Sequence, residues 1–230
     1  MTPDELQGVV DRVVGMARAG EQVEAVAAWS RDTEIRAFGG DIEHFVSATS
    51  AGIGVRVIRD GRQGVAWAGV LDDESLGDCL TEARDNSEFG SVDEDAGLAE
   101  PDGVTPVELE LHDDRLERTP TEEKIRLAIE LEREVLGGDP RMKGIESADY
   151  ADAIGVSAIA STTGIRRSGA ETSVYLGAYA LAGDDDETTT GFGFSVARAV
   201  ESLDPTGAAR ATRCTARSAC SVQERPRAGA

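Results

Sequence analysis

The sequence predicts an α+β fold of two small domains, each an antiparallel β-sheet with helices packed on it. Three observations carry this reading. Apolar residues alternate with period two in several short runs, as in Val23, Ala25, Ala27 and Trp29. The runs are joined by tight-turn dipeptides, among them Gly39-Gly40, Asp60-Gly61 and Thr163-Gly164. Helical periodicity is confined to a few stretches standing between the strand runs.

Residues 4–19 place Leu6, Val9, Val10 and Val13 at helical spacing, with Asp4 as the expected N-cap and Gly20 as the stop. Strands are expected over 22–30, 33–38 and 42–49. The run SAGIGVRVIRDGRQGVAWAG at 50–69 has Val57 where a third nucleotide-binding glycine would stand, and no helix follows it. Asp60-Gly61 supplies the positive φ angles of a two-residue hairpin turn. Folding about it sets Val57 opposite Gly64, Val55 opposite Ala66 and Gly54 opposite Trp67, whose ring is expected to cover that glycine. A helix over 73–86 turns Leu76, Cys79, Leu80 and Ala83 inward, so Cys79 reads as a small core residue rather than a nucleophile.

Residues 88–105 mix Gly, Pro and acid without periodicity. The organisation expected is an N-terminal α/β domain at 1–90, a linker at 91–105, a central α+β domain at 106–204 and an aberrant or truncated basic tail at 205–230. The central domain opens with a strand through Val107, Leu109 and Leu111. A helix follows in TPTEEKIRLAIELEREVLGG, with Ile125, Ile129, Leu131 and Leu136 among its apolar positions. Strands are then expected at 142–151, 154–162, 170–182 and 188–196. Gly191 and Gly193 fit a strand that another backbone approaches closely.

Bulk properties exclude several function classes. The chain has 44 acidic and 23 basic residues, a net charge of −21. Such a surface repels phosphate backbones and anionic lipid, so neither nucleic acid nor membrane is an expected partner. The N-terminus has no basic and apolar leader pattern, and no run reaches membrane-span length. Cys79, Cys214 and Cys220 form neither an even set nor a C-x-x-C pair, which suits a reducing cytoplasm.

Candidate chemistry is sparse. Zinc catalysis needs three convergent ligands, usually including His. The two histidines, His44 and His112, fall in separate predicted domains and outside any H-E-x-x-H helix. Asp184-Asp185-Asp186-Glu187 lacks the alternation of a calcium loop and reads as a solvated turn. Ser195 in GFGFSVA lacks the second glycine of a hydrolase elbow. The sequence therefore assigns no catalytic, cofactor-binding or metal-binding residue.

Four segments, EIRAFGGDIEHFVSATSAGIGVRVIRDGRQGVAWAG, LDDESLGDCLTEARDN, GIESADYADAIGVSAIASTTGIRRSGAETSVYLGAYALA and TGFGFSVARAVESLDP, resemble the TldD/PmbA family in content and order across most of residues 20–206. The resemblance implies a first domain, a central domain and a third, C-terminal domain of catalytic type that this chain lacks. In TldD-type members the third domain carries the zinc ligands. PmbA-type (TldE) members lack the motif and can pair with a TldD-type subunit to form a working peptidase acting on peptides or unfolded chains. The run GIGVRVIRDGRQGVAWAG is closer to the PmbA side. No zinc position of the family maps onto this chain, so zinc is expected only in the missing domain or a partner. The implied function is the N-terminal part of a metallopeptidase-type subunit, inactive alone, that works as a homo- or heterodimer. The alternative is a stand-alone acidic peptide-binding or assembly module.

Composition changes sharply near the C-terminus. Up to Thr206 the chain holds 18 basic and 43 acidic residues; from Gly207 on it holds five Arg and one Glu. ATRCTARSACSVQERPRAGA shows no apolar period with which to continue a helix. A frameshift or truncation near this point is the expectation, and a genuine basic tail the alternative.

Overall fold

Among the described residues six strands hydrogen-bond side by side, and their lengths exceed what the sequence alone suggests. The computed structural model describes residues 1–184 and 187–223. The acidic turn at 184–187 as a candidate site, the Cys220 side chain and residues 224–230 lie outside what is described. The strands are β1 (Gln22–Phe38), β2 (Asp41–Arg59), β3 (Arg62–Ala68), β4 (Met142–Ser161), β5 (Arg166–Asp184) and β6 (Glu187–Ala197). Their order is β3-β2-β1-β4-β5-β6. Val23 hydrogen-bonds to Thr162 and Arg36 to Asp149, so β1 and β4 run antiparallel like the hairpin pairs. The helices are α1 (Pro3–Gly15), α2 (Asp73–Phe89), α3 (Arg115–Arg118), α4 (Thr121–Gly137) and α5 (Pro205–Gln223). The α+β class holds, with the strands of both expected domains joined in one sheet.

The expected breaks at 31–32, near 50 and at 152–153 are absent, because β1, β2 and β4 run straight through them. Polar residues such as Arg31 and Asp32 imitate a turn. The alternation nevertheless keeps phase, with residues 23, 25, 27, 33, 35 and 37 all buried, and on β4 every even position from 148 to 160. The expected strand through Val107, Leu109 and Leu111 does not form. Val107 is 81% and Leu109 67% exposed, and alternation without a neighbouring strand to pair with does not make a ladder.

Contacts divide the chain into two units that interleave in sequence. Unit 1 comprises residues 1–31, 49–111 and 154–171; unit 2 comprises 32–48, 112–153 and the chain from 172 on.

In unit 1, α1 is capped by Thr2 and not by Asp4. The Thr2 hydroxyl accepts the Glu5 N–H and the Glu5 carboxylate accepts the Thr2 N–H, with Pro3 in the first turn. The helix ends at Gly15, short of Gly20. Leu6, Val10 and Val13 pack with Val23, Ala25, Val55, Val57, Leu76 and Leu80 into one apolar cluster that also holds Cys79. The β2–β3 hairpin has the expected register, Val57↔Gly64, Val55↔Ala66 and Gly54↔Trp67, turning at Asp60 (φ 51°) and Gly61 (φ 70°). Trp67 does not cover Gly54: its side chain is 81% exposed, and a Cβ on Gly54 would meet nothing within 4 Å. Gly64 instead lies under α2, where a Cβ would come 2.1 Å from the Ala83 carbonyl oxygen.

In unit 2, α4 buries Leu127, Ala128, Leu131 and Val135 together with two charged residues, Lys124 and Glu132. Helix α5 runs from Pro205 through residue 223, over a segment where composition indicated no helix. Its contact residues are small rather than large: Ala208, Ala209, Thr212 and Ala216 are all buried. They fit because β6 presents Gly191 and Gly193, where a Cβ would fall 2.3–2.4 Å from α5 backbone atoms. This is the close backbone approach expected of those glycines.

Candidate functional site

Among the described residues, none of the sequence candidates lies in a catalytic arrangement. Cys79 is 3% exposed, and burial pushes its thiol pKa up, which suits a core residue. Ser195 accepts the Asp204 N–H at 2.9 Å and so fixes the approach to α5. Cys214 is exposed on α5. His112 directs Nδ1 at Asp114 (3.2 Å) and Nε2 at Glu117 (3.5 Å), at the start of the short α3. Its neighbour Asp113 is gripped by Arg115, which holds that carboxyl down at about 2. His44 lines a shallow depression of about 170 Å³ with Glu34, Arg36, Asp149 and Tyr175, where Arg36 and Asp149 pair at 2.7 Å. Burial raises the Tyr175 phenol. Among the described residues no group of three or more His, Cys, Asp or Glu is placed to hold a metal ion. The donor set present therefore does not fit the zinc site that the family resemblance would imply for a catalytic subunit.

The polar groups that the fold does bring together escape a reading based on periodicity. In unit 2, Tyr150 is fully buried and donates its hydroxyl to Asp152 Oδ2 at 2.6 Å. The Lys124 ammonium reaches the same oxygen at 2.5 Å and stands 6.0 Å from the centre of the Tyr150 ring. Burial and the Asp152 charge both raise the Tyr150 pKa, so the phenol stays protonated. Also in unit 2, the Glu132 carboxylate accepts the N–H groups of Gly39 (2.7 Å) and Gly40 (2.8 Å), the β1–β2 turn residues with φ of 67° and 79°. Neither cluster pairs a nucleophile with a base, and both lock backbone or core geometry.

Glu132→Ala is expected to cost about 2–4 kcal/mol, because two turn N–H groups lose a charged acceptor at once. Glu132→Gln should recover part of that loss, since its amide has one acceptor oxygen. Urea unfolding of the three proteins checks the order.

Unit 1 holds a polar cleft of about 490 Å³ that includes Arg18, Arg59, Arg62 and Arg84. Four arginines in so acidic a chain suggest an anion site, but three of the four guanidinium groups are already engaged. Arg84 binds Glu21 through two nitrogens and also donates to the Met16 carbonyl. Burial opposes the Glu21 charge, but Arg84 and the Arg18 N–H outweigh it and hold the carboxyl below its ordinary range. Arg62 donates to the Gly90 carbonyl and Arg59 lies 3.6 Å from Asp60. Glu21, Asp60, Asp85 and Glu88 balance the four positive charges.

Comparison with known proteins accounts for this architecture. Residues 23–87 match the PmbA/TldA metallopeptidase domain 1, and residues 114–221 match the central domain of the same metallopeptidases. A candidate modulator of DNA gyrase from Thermotoga maritima shares the fold with a TM-score of 0.80 at 23% identity, over 94% of this chain and 48% of that one. TldE from Thermococcus kodakarensis gives 0.76 at 14% identity, over 93% and 47%. A candidate modulator of DNA gyrase from Bacteroides thetaiotaomicron gives 0.75 at 19%, over 93% and 48%. No curated protein sequence matches. The chain thus spans about half the length of these solved structures. With both family domains present in order and the fold shared, this chain belongs to the metallopeptidase-related PmbA/TldD family.

Proposed function

We propose that this chain is the first and central part of a peptide-processing subunit, on the PmbA/TldE side of the family, and that it has no peptidase activity by itself. The observation that carries the reading is the ordered match to the first and central domains, over residues whose histidines are drawn into local pairing or a shallow surface depression. The resemblance to TldE in fold supports the same side. In this reading residues 1–90 and 106–204 correspond to the two domains, zinc belongs to a TldD-type partner, and the substrate of the assembly is a peptide or an unfolded chain. The site of action is the cytoplasm; no described helix is long and apolar enough to cross a membrane.

The test is zinc content and peptide hydrolysis by the purified 230-residue chain. The expected outcome is well under 0.1 zinc per chain after dialysis against zinc and no cleavage of unstructured peptides above buffer. Stoichiometric zinc together with hydrolysis that a chelator abolishes would overturn the proposal.

A further inference from the structure

The alternation of Val107, Leu109 and Leu111 predicts a strand that does not form, yet the sheet has an unfilled place for it. Strand β6 pairs with β5 from Val174 onward, so among the described residues no strand lies on that side of residues 166–170. Residues 166–169 are all exposed. The segment 99–111 is a strap fixed near both ends of this edge. At one end the Thr163 hydroxyl donates to the Ala99 carbonyl at 2.6 Å, and a Cβ on Gly164 would meet the Pro101 ring at 3.6 Å. At the other the Asp113 N–H donates to the Thr172 hydroxyl at 3.1 Å. Between these anchors the strap stands off the edge, and residues 100–106 and 164–167 wall a cavity of about 640 Å³. Val107 and Leu109 are left 81% and 67% exposed. The matched family domains end at residue 87 and resume at 114, so the strap belongs to neither.

We propose that residues 107–111 close onto β5 as a parallel edge strand, and that the strap thereby gates this edge of the sheet. The anchor at Asp113 sets the phase. Parallel strands advance by the same ~3.3 Å per residue and place alternate side chains on opposite faces. With Asp113 at Thr172, stepping back along both chains sets Leu111 beside Ala170, Leu109 beside Ser168 and Val107 beside Arg166. That is the core face: Ala170 packs against the unit 1 apolar cluster, and Arg166 reaches Asp11 of α1 at 2.8 Å. Glu108 falls on the opposite face beside Arg167, and Glu110 beside Gly169, which has no side chain to obstruct it. Charge favours closure as well. The strap holds Glu100, Asp102, Glu108 and Glu110 and no Lys or Arg, while the edge opens with Arg166 and Arg167. Length permits it. The strap takes 14 residues from Ala99 to Asp113 where the sheet side takes nine from Thr163 to Thr172, and Pro101, Gly103 (φ 74°) and Pro106 lie in the part left to loop out. An unpaired strand edge is a template for any extended chain. Closed, the strap masks it; open, as in this structure, the edge is accessible.

This inference concerns strap and edge residues of unit 1 and stands independently of the peptidase reading, whose test is metal content and cleavage. Residue-resolved amide hydrogen exchange on the 230-residue chain is the deciding measurement. Alternate amides between 107 and 111 are expected to exchange about tenfold more slowly, or slower still, than in an unstructured peptide, equivalent to a strap closed about nine-tenths of the time. Leu109→Asp should return them to unstructured rates while the amides of α1 and β2 keep their protection, since Leu109 is exposed in the open strap. Glu108→Arg should cut the strap's protection by about threefold, and adding Arg167→Glu should restore it, because the swap rebuilds the pair with its sign reversed. Strap amides that exchange freely in the wild type overturn the proposal. So does protection that Leu109→Asp leaves intact, or a charge swap that restores nothing.

Discussion

Asp152→Ala is expected to destabilise the chain by about 3–5 kcal/mol, the usual cost of removing one member of a buried ion pair. The Asp152 side chain is 2% exposed and that of Lys124 11%, and both the Lys124 ammonium and the Tyr150 hydroxyl end on the same Asp152 oxygen. Alanine leaves a cation and a phenol inside unit 2 with that acceptor gone. Against a typical total stability of about 5–15 kcal/mol, this is a fifth or more of what holds the fold. With a urea m-value of about 2.5 kcal/mol/M, the midpoint should fall by about 1.5 M. Asp152→Asn keeps the shape and one acceptor for Tyr150 but loses the charge facing Lys124, so its loss should be intermediate. The double variant Lys124→Met, Asp152→Leu separates a pair that stabilises from one that only needs to be complete. Replacing both charges with apolar groups of similar size is expected to recover most of the loss. A single Asp152→Ala change costing under 1 kcal/mol would mean that water or another group reaches Lys124 in solution.

The same residues show where sequence reading succeeds and where it stops. The β2–β3 hairpin was legible to the residue, because Asp60-Gly61 fixes both turn type and register and no distant contact is needed. The inner stripe of α4 was legible only in part. Positions 124, 127, 128, 131, 132 and 135 follow helical spacing, but Lys124 and Glu132 stand in it, and charged residues in a helix ordinarily face water. Their partners, Asp152 and the N–H groups of Gly39 and Gly40, lie 28 and about 92 residues away, and spacing within a helix carries no information about them. Strand lengths failed for a related reason. Ser30, Arg31 and Asp32 look like a turn, and only the odd-numbered phase, interrupted at Trp29 and Arg31 but resumed in step from Thr33 to Ala37, shows that β1 passes through. The family was legible because it rests on extended segments in order, which survive local misreading. Site residues were not, because the described residues hold no motif whose spacing specifies chemistry.

Helix α5 supports the second large effect. Gly193→Val is expected to cost about 3 kcal/mol or more, beyond ordinary overpacking, because the obstruction is backbone and cannot rotate away. A Cβ at Gly193 would lie 2.4 Å from both the Ala208 oxygen and the Thr212 nitrogen, and at Gly191 2.3 Å from the Thr212 oxygen. Either substitution must lift α5 off β6, uncovering Ala208, Ala209 and Thr212 and breaking the Thr215 hydroxyl's contacts with Phe192. Trypsin should then cut at Arg210 or Arg213 faster than in the wild type, where both lie within the docked helix. Gly54→Ala is the matched control. It too is a strand glycine, but a Cβ there meets nothing within 4 Å, so alanine should be neutral or stabilise by up to about 1 kcal/mol through reduced freedom of the unfolded chain. Two glycines that look alike in sequence are thus expected to respond with opposite sign. If Gly193→Val instead leaves stability and trypsin resistance unchanged, α5 does not dock on β6 in solution, and the basic C-terminal segment regains its reading as a tail. If the loss is seen, the small residues from Ala208 to Ala216 form part of the unit 2 core, and their lack of large apolar side chains follows from how closely the helix lies on the sheet.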